Sequence, residues 1–218
     1  MRSRLLTPAF YQQGAVAVAR GLLGCVLARN APEGTASGVI VETEAYAGRT
    51  DAACHSFKLE GPRPGHRTEV MFRPGGLAYV YLIYGMYCCF NVTCAPAGRA
   101  EAVLVRALAP LEGKPLMRAR RGTEDERKLC SGPGKLCMAL AVTREQNGAD
   151  LRGETLRILQ GNPIQDAEVA RTPRINVDYA GEDAVLPYRF AVKDSPFLST
   201  RRFLKAAPRG EGFGDTTS

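Results

Sequence analysis

What the sequence lacks narrows the field first. No apolar run approaches the ~20 residues that cross a bilayer. The opening Met1-Arg-Ser-Arg-Leu-Leu-Thr-Pro8 has two arginines but no apolar segment behind them, so a secretory signal is not expected. No Cys-x-x-Cys pair occurs. The seven cysteines are an odd number. Cys54, Cys88, Cys89, Cys94, Cys130 and Cys137 lie among apolar residues and Cys25 lies between Gly24 and Val26, the setting of buried, reduced thiols. The two histidines, His55 beside Cys54 and His66 in a loop-like stretch, do not give the short, repeated ligand spacing of a zinc site, so no metal is expected. Internal repeats are missing, as is any linker that would divide two cores. These absences point to one cytoplasmic domain.

What is present fits a globular chain: 218 residues, 45% apolar and 23% charged, enough for one good core. Lys and Arg outnumber Asp and Glu by 29 to 22, a net charge of +7, and the pI is about 9.2. That balance suits a polyanionic partner, since phosphate neutralisation dominates nucleic-acid affinity. Charge alone is a weak signal, and it gains weight only where chemistry converges with it.

Thr7-Pro8 reads as an N-cap and first-turn proline opening a helix to about Arg20. Leu22–Ala28 reads as a strand, residues 30–37 as a turn region, and Gly38–Tyr46 as a β-branched, alternating strand. Residues 47–68 form a long loop, a length that is usually functional or disordered. After the Pro74-Gly75-Gly76 turn, strands over Leu77–Ile83 and Met86–Cys94 flank a tight turn at Tyr84-Gly85. A strand over Ala102–Ala107, helices over Pro110–Arg121 and from Lys135 to about Val142, and short strands at Leu156–Leu159, Ala184–Leu186 and Tyr188–Val192 follow. The pattern is that of a mixed α+β domain spanning residues 1–207, with a frayed tail over 208–218.

Three groups of residues carry candidate chemistry. Glu42 and Glu44 alternate on one strand, so both carboxylates share a face about 7 Å apart. A solvated strand face and a general base are both open readings. Arg106, alone in the apolar run Ala102-Val-Leu-Val-Arg-Ala-Leu108, must be paired if it is buried. A Glu–Arg pair holding a water and a structural ion pair stand even. Four of the eight tyrosines fall within the nine residues Tyr79–Tyr87. An aromatic-rich core hairpin is one reading. An exposed tyrosine at its tip, stacking on or wedging between bases, is the other. His55 and Asn91 are the remaining polar residues in apolar surroundings.

Taken together, Val41-Glu-Thr-Glu-Ala-Tyr46, Ala52-Ala-Cys-His-Ser56, Tyr79-Val-Tyr-Leu-Ile-Tyr-Gly-Met-Tyr87, Phe90-Asn91, Leu104-Val-Arg-Ala-Leu-Ala-Pro-Leu-Glu112 and Leu129-Cys-Ser-Gly-Pro-Gly-Lys-Leu136 resemble the alkyladenine (3-methyladenine) DNA glycosylase family of the mammalian type. The blocks keep the family's order over residues 20–145, whereas the region after about 150 matches only in general character. The resemblance implies a single α+β domain with a curved antiparallel sheet, surrounding helices and a protruding β-hairpin that enters the DNA minor groove. It implies base-excision repair: a damaged purine (3-methyladenine, 7-methylguanine, with hypoxanthine and ethenoadenine as further candidates) is flipped out and released by water attack at C1′, leaving an abasic site. It assigns Glu44 as general base, with Arg106 holding the carboxylate and the water. Tyr46, His55 and Tyr81 sandwich the base. Asn91 at the pocket floor disfavours the 2-amino group of guanine. Tyr84 is the wedge, and Met86 and Tyr87 touch the minor groove. Lys135, at a helix start, suits a phosphate contact. The family uses no metal and no cofactor, and the implied partner is double-stranded DNA containing damaged purines. The expected state is a monomer with no obligate protein partner and no membrane. The short, compact ends are those of a bacterial, nucleoid-associated member. Glu42 receives no role, and the loop over residues 57–69 is longer than the family pattern requires. A nucleic-acid-binding module without chemistry, an RNA-directed enzyme and a bifunctional glycosylase/lyase with an amine nucleophile remain as alternatives.

Overall fold

The computed structural model describes residues 4–202 and 204. Two short helices, α1 (Pro8–Tyr11) and α2 (Ala15–Gly21), stand where the sequence predicts one continuous helix. The start is as expected, with Pro8 in the first turn and the Phe10 amide donating to Thr7 Oγ1 at 3.3 Å. The break at Gln12-Gln13-Gly14 has a tertiary cause. The Tyr11 and Gln13 carbonyls both accept from the Ala95 amide, and the Ala15 amide donates to Glu101 Oε2 at 2.7 Å. A buried carboxylate reaching across from the sheet thus caps the positive end of α2, and no local pattern in residues 7–20 encodes it.

Eight strands make one antiparallel sheet: β1 (Val26–Ala31), β2 (Gly34–Tyr46), β3 (Ala78–Ile83), β4 (Tyr87–Cys94), β5 (Glu101–Glu112), β6 (Leu156–Leu159), β7 (Val169–Thr172) and β8 (Arg189–Val192). The order is β3-β4-β5-β2-β1-β6, with β8 paired to β2 and β7 to β8. The α+β single-domain architecture is as the sequence implies. Strand β2 is its spine. One edge pairs with β5 from Ser37 to Tyr46, and the other pairs with β1 as far as Val39 and then with β8 at Glu42–Glu44. Every residue from Ile40 to Ala45 is buried, so both faces of this stretch are covered.

Several boundaries differ from the sequence reading. The predicted turn over residues 30–37 shrinks to Pro32-Glu33, because β2 begins pairing with β1 at Gly34. Strand β1 starts at Val26, later than the predicted Leu22. The helix predicted from Pro110 begins at Lys114, since β5 continues to Glu112 and Pro110 pairs with Gly38. Gly113 makes the switch with φ +72°, and a side chain there would meet the Thr35 carbonyl oxygen. Helices α3 (Lys114–Arg121), α4 (Glu126–Leu129) and α5 (Pro133–Leu140) follow. Ala184–Leu186 is not a strand: Asp178–Val185 is 3₁₀-helical, kinked at Gly181. Strand β7 is an element that the sequence reading does not contain. The 207/208 boundary and the predicted tail lie outside the described residues.

The main core packs α2 and α5 against β2, β4 and β5, with α3 against α5. It is built from residues such as Val18, Leu22, Ile40, Phe90, Val105, Leu108, Met117, Leu136 and Leu140. A second, smaller cluster joins Val70, Met71 and Phe72 to Cys54, Tyr79, Ala100 and Ala102, with Tyr46 and Tyr81 at its margin. The long segment after β2 is therefore anchored against this cluster at Cys54, while residues 57–67 are half-buried or exposed.

Candidate active site

Glu42 and Glu44 share one face of β2, and neither side chain is exposed. That excludes the solvated strand face. Buried carboxylates need charged or hydrogen-bonding partners, and both have them. Glu42 Oε1 accepts from Arg106 Nε at 3.1 Å, Arg189 Nε at 2.8 Å and Ser199 Oγ at 2.8 Å, and its Oε2 accepts from the Ser199 amide at 2.6 Å. Glu44 Oε2 accepts from Arg106 Nη1 at 3.2 Å and the Tyr46 hydroxyl at 2.9 Å, and its Oε1 accepts from the Ile175 amide at 2.8 Å. Two carboxylates and two guanidinium groups leave no net buried charge.

A β-bulge lets one arginine serve both carboxylates. Glu42 pairs with Ala107 and Thr43 with Val105, which leaves Arg106 as the extra residue between them. Bulges re-aim side chains in this way, and the Arg106 fork spans Glu42 and Glu44. A second buried pair lies beside the first. Arg174 binds Asp51 at 2.5 and 2.9 Å, donates to the Ala45 carbonyl at 3.0 Å, and sets its guanidinium 4.9 Å from the Tyr46 ring centroid.

Above this cluster opens a cavity of about 270 Å³. Its lining includes Tyr46, His55, Tyr81 and Asn91, as well as Tyr84 and Arg106. Tyr79, Ile175, Val177 and Tyr179 also line it. Glu44 itself is not at the wall; it lies behind Tyr46 and Arg106, both bonded to its Oε2. The carboxylate receives three donors where about four lone-pair sites are available, so it retains acceptor capacity. His55 meets the Tyr81 ring edge-on at 4.7 Å between centroids and bonds through Nδ1 to the Tyr79 hydroxyl at 2.8 Å. Asn91 Nδ2 donates to the Tyr79 carbonyl at 3.0 Å, which fixes the amide plane at the cavity wall.

Burial governs protonation here. Desolvation, then the nearby Arg67 and His66, pulls the His55 pKa down to about 4, so the ring is neutral at pH 7. Burial pushes the Tyr46, Tyr79 and Tyr81 hydroxyls well above the ordinary phenol range, and for Tyr46 the Glu44 charge adds to the effect. Burial raises the Cys89 thiol to about 11.

The turn between β3 and β4 is built differently. Tyr84 and Gly85 take φ +50° and +71°, and the Met86 amide donates to the Ile83 carbonyl at 3.2 Å. Two successive left-handed residues are the mark of a type I′ hairpin turn, but a tyrosine in that region is strained. Tyr84 is 87% exposed and Met86 69%. Met86 and Tyr87 are outside the cavity lining. Tyr87 packs against Gly134, where an added Cβ would meet the Tyr87 Cβ at 3.2 Å. Lys135 is exposed in the first turn of α5, one residue past Gly134, and does not line the cavity.

Arg189, Ser199, Arg174, Asp51 and the 175–179 wall are site residues that the sequence reading does not contain. Arg189 carried a usable signal: like Arg106, it is a lone arginine in an apolar strand, Tyr188–Val192. Nothing local distinguishes Arg174 or Ser199.

A family model described as methylpurine-DNA glycosylase matches residues 9–196. A protein of Myxococcus xanthus is 47% identical over 194 residues, covering 89% of this chain and 93% of its own. One of Carboxydothermus hydrogenoformans is 44% identical over 198 residues, covering 90% of this chain and 100% of its own. One of Methanocella arvoryzae is 46% identical over 193 residues, covering 88% of this chain and 94% of its own. All three are named "Putative 3-methyladenine DNA glycosylase".

Proposed function

Because the chain belongs to the methylpurine-DNA glycosylase family, we propose that it excises alkylated purines from duplex DNA, with Glu44 directing water onto C1′ of a nucleotide flipped into the 270 Å³ cavity. The observation that carries this reading is the Glu44–Arg106–Tyr46 constellation. A buried carboxylate with spare acceptor capacity lies directly behind two residues that line the cavity. Hydrolysis of an N-glycosidic bond passes through an oxocarbenium-like state. A carboxylate held by fixed donors takes the proton from water and stabilises that positive charge without reorganising. Tyr46, His55 and Tyr81 then form the walls that receive the base, and Asn91 the floor. Tyr84 is the wedge that fills the gap in the stack, at an unstacking cost of a few kcal/mol. Met86 and Tyr87 flank it in the minor groove, and Lys135 is a phosphate contact.

The electrostatics favour cationic bases among the candidate substrates. Release of 3-methyladenine or 7-methylguanine needs no proton, because the base already carries a positive charge. Hypoxanthine needs one on leaving. The cavity supplies no ready donor: His55 is neutral, and Tyr46, Tyr79, Tyr81 and Cys89 hold their protons tightly. Electron-rich tyrosine faces add about 0.5–2 kcal/mol for a cation. No lysine is among the residues lining the cavity, which supports hydrolysis by water over an amine-linked lyase step.

The test is single-turnover release of free base from duplexes carrying 7-methylguanine, ethenoadenine or hypoxanthine, with methylated DNA as the source of 3-methyladenine. We expect the cationic bases to leave at least about tenfold faster than hypoxanthine, equivalent to about 1.4 kcal/mol, and the strand to stay uncut. Equal or faster hypoxanthine release sinks the specificity reading, and strand cleavage sinks the monofunctional one. We further propose that the protein acts as a cytoplasmic, nucleoid-associated monomer; sedimentation on and off DNA checks the oligomeric part.

A further inference from the structure

We propose that the groove on the far side of Tyr81, lined by Arg67, Arg73 and Arg144, is a phosphodiester channel that holds a backbone segment of the duplex beside the base cavity. The inference rests on the DNA glycosylase reading and adds to it a place for the backbone. The groove encloses about 780 Å³ and shares Tyr81 with the base cavity. Its three arginines come from separate places. Arg67 is in the long segment after β2, Arg73 follows the 3₁₀ turn Glu69–Phe72, and Arg144 opens the 3₁₀ turn Arg144–Gln146.

All three arginines are exposed, and among the described residues none forms an ion pair. Elsewhere on the surface the arginines are mixed: Arg20, Arg49, Arg99, Arg118 and Arg152 each have a carboxylate partner, whereas exposed Arg63 and Arg171 form no ion pair among the described residues. The two carboxylates in the lining do not neutralise the arginines. Glu69 accepts from the Gly65 amide of its own loop at 2.7 Å, and Glu145 makes no ion pair among the described residues. Unpaired guanidinium forks around an open channel match phosphate oxygens in charge and geometry.

The floor is rigid. Asn147 Oδ1 accepts from the Val80 amide at 3.0 Å, and the Gly148 amide donates to the Ala78 carbonyl at 2.8 Å, so the edge of β3 is satisfied along the groove. Arg67 places its guanidinium 5.6 Å from the Tyr81 ring centroid, which joins the two spaces through one wall. A flipped nucleotide stays attached through the phosphates on both sides of it. Its strand must therefore run along the cavity rim, and a cationic channel one side chain away is where that strand finds compensation.

The experiment titrates a short duplex carrying a stable abasic-site analogue, with binding read across roughly 50–200 mM salt, where phosphate contacts show as the slope of log K against log salt. For the triple variant Arg67→Gln/Arg73→Gln/Arg144→Gln we expect a weaker Kd and a slope flatter by about 0.9 for each lost contact. The triple lysine variant keeps most of the wild-type slope. Arg20→Gln, at the Asp166 ion pair on α2, keeps all of it. If thermal melting shows that the triple glutamine variant does not fold, the single variants are read in the same way. Wild-type slope and Kd in the glutamine variants overturn the channel. A lysine variant as impaired as the glutamine one also overturns it, since charge is then not what the groove supplies. Wild-type protein that neither binds the duplex nor releases 3-methyladenine overturns the glycosylase reading itself, a result separable from loss of the channel alone.

Discussion

Two tyrosines reach the same cavity from opposite physical situations. Tyr46, at the end of β2, has its hydroxyl bonded to Glu44 and its ring against Arg174. Tyr84, at the β3–β4 turn, is 87% exposed with φ +50°. The first sits in a network where each charge is matched, and the second sits where the backbone is strained and the ring has little to pack on. The difference separates two requirements. Directing a water onto a carbon needs fixed dipoles that do not reorganise. Entering a base stack needs an apolar surface left uncovered until DNA arrives.

That contrast can be broken most severely at its buried end. Glu44→Gln should slow single-turnover base release by about 10²–10⁴-fold, the range for removal of a general base, while binding of abasic duplex survives. Release within tenfold of wild type would falsify the assignment. Next in size is Glu42→Ala, which strands Arg106 and Arg189 without their shared carboxylate. Loss of one member of a buried ion pair costs about 3–5 kcal/mol, or roughly 6–20 °C in Tm for a chain of this length. A variant that melts with wild type shows that the network does not depend on Glu42.

His55 tests the same region through pH. Its folded-state pKa lies near 4, below the ordinary 6.5, so the unfolded chain binds the extra proton between these values. Stability from the neutral ring is complete above about pH 6.5 and is lost as pH falls towards 4, at most about 3 kcal/mol in all. Urea unfolding at pH 7 and pH 4.5 measures it. His55→Phe should flatten that difference, and an unchanged pH dependence places the titrating group elsewhere. The smallest effect belongs to the turn. Tyr84→Ala should weaken binding of damaged duplex by about 1–3 kcal/mol, a stacking-sized loss. Tm should move by no more than about 2 °C, as for a surface change. An equal fall in Tm and activity would make Tyr84 a packing residue after all.

Legibility followed sequence distance. Glu44, Tyr46, Tyr81, Tyr84 and Asn91 sit on β2 and on the paired β3 and β4, and alternation and turn chemistry describe such segments well. The lone Arg106 announced a buried partner. Glu42 was opaque because its reasons lie far off: Arg189 is 147 residues away and Ser199 is 157. The break between α1 and α2 was hidden for the same cause, since Glu101 makes it from 86 residues downstream of Ala15. Strand β7 and the 3₁₀ stretch Asp178–Val185 escaped because each is short and takes its shape from neighbours, not from periodicity.

The Glu42–Ser199 contact also imposes an order in time. The motif that reads as the active site, Val41–Tyr46, leaves the ribosome well before two of its partners do. Its carboxylates meet Arg106 first, and their buried network is completed only when Arg189 and Ser199 follow, 147 and 157 residues after Glu42. Until Arg189 is made, a nascent chain has only Arg106 to set against the two carboxylates. Such long-range closure is slow to form, and it ties the competence of an earlier-made motif to a segment made much later.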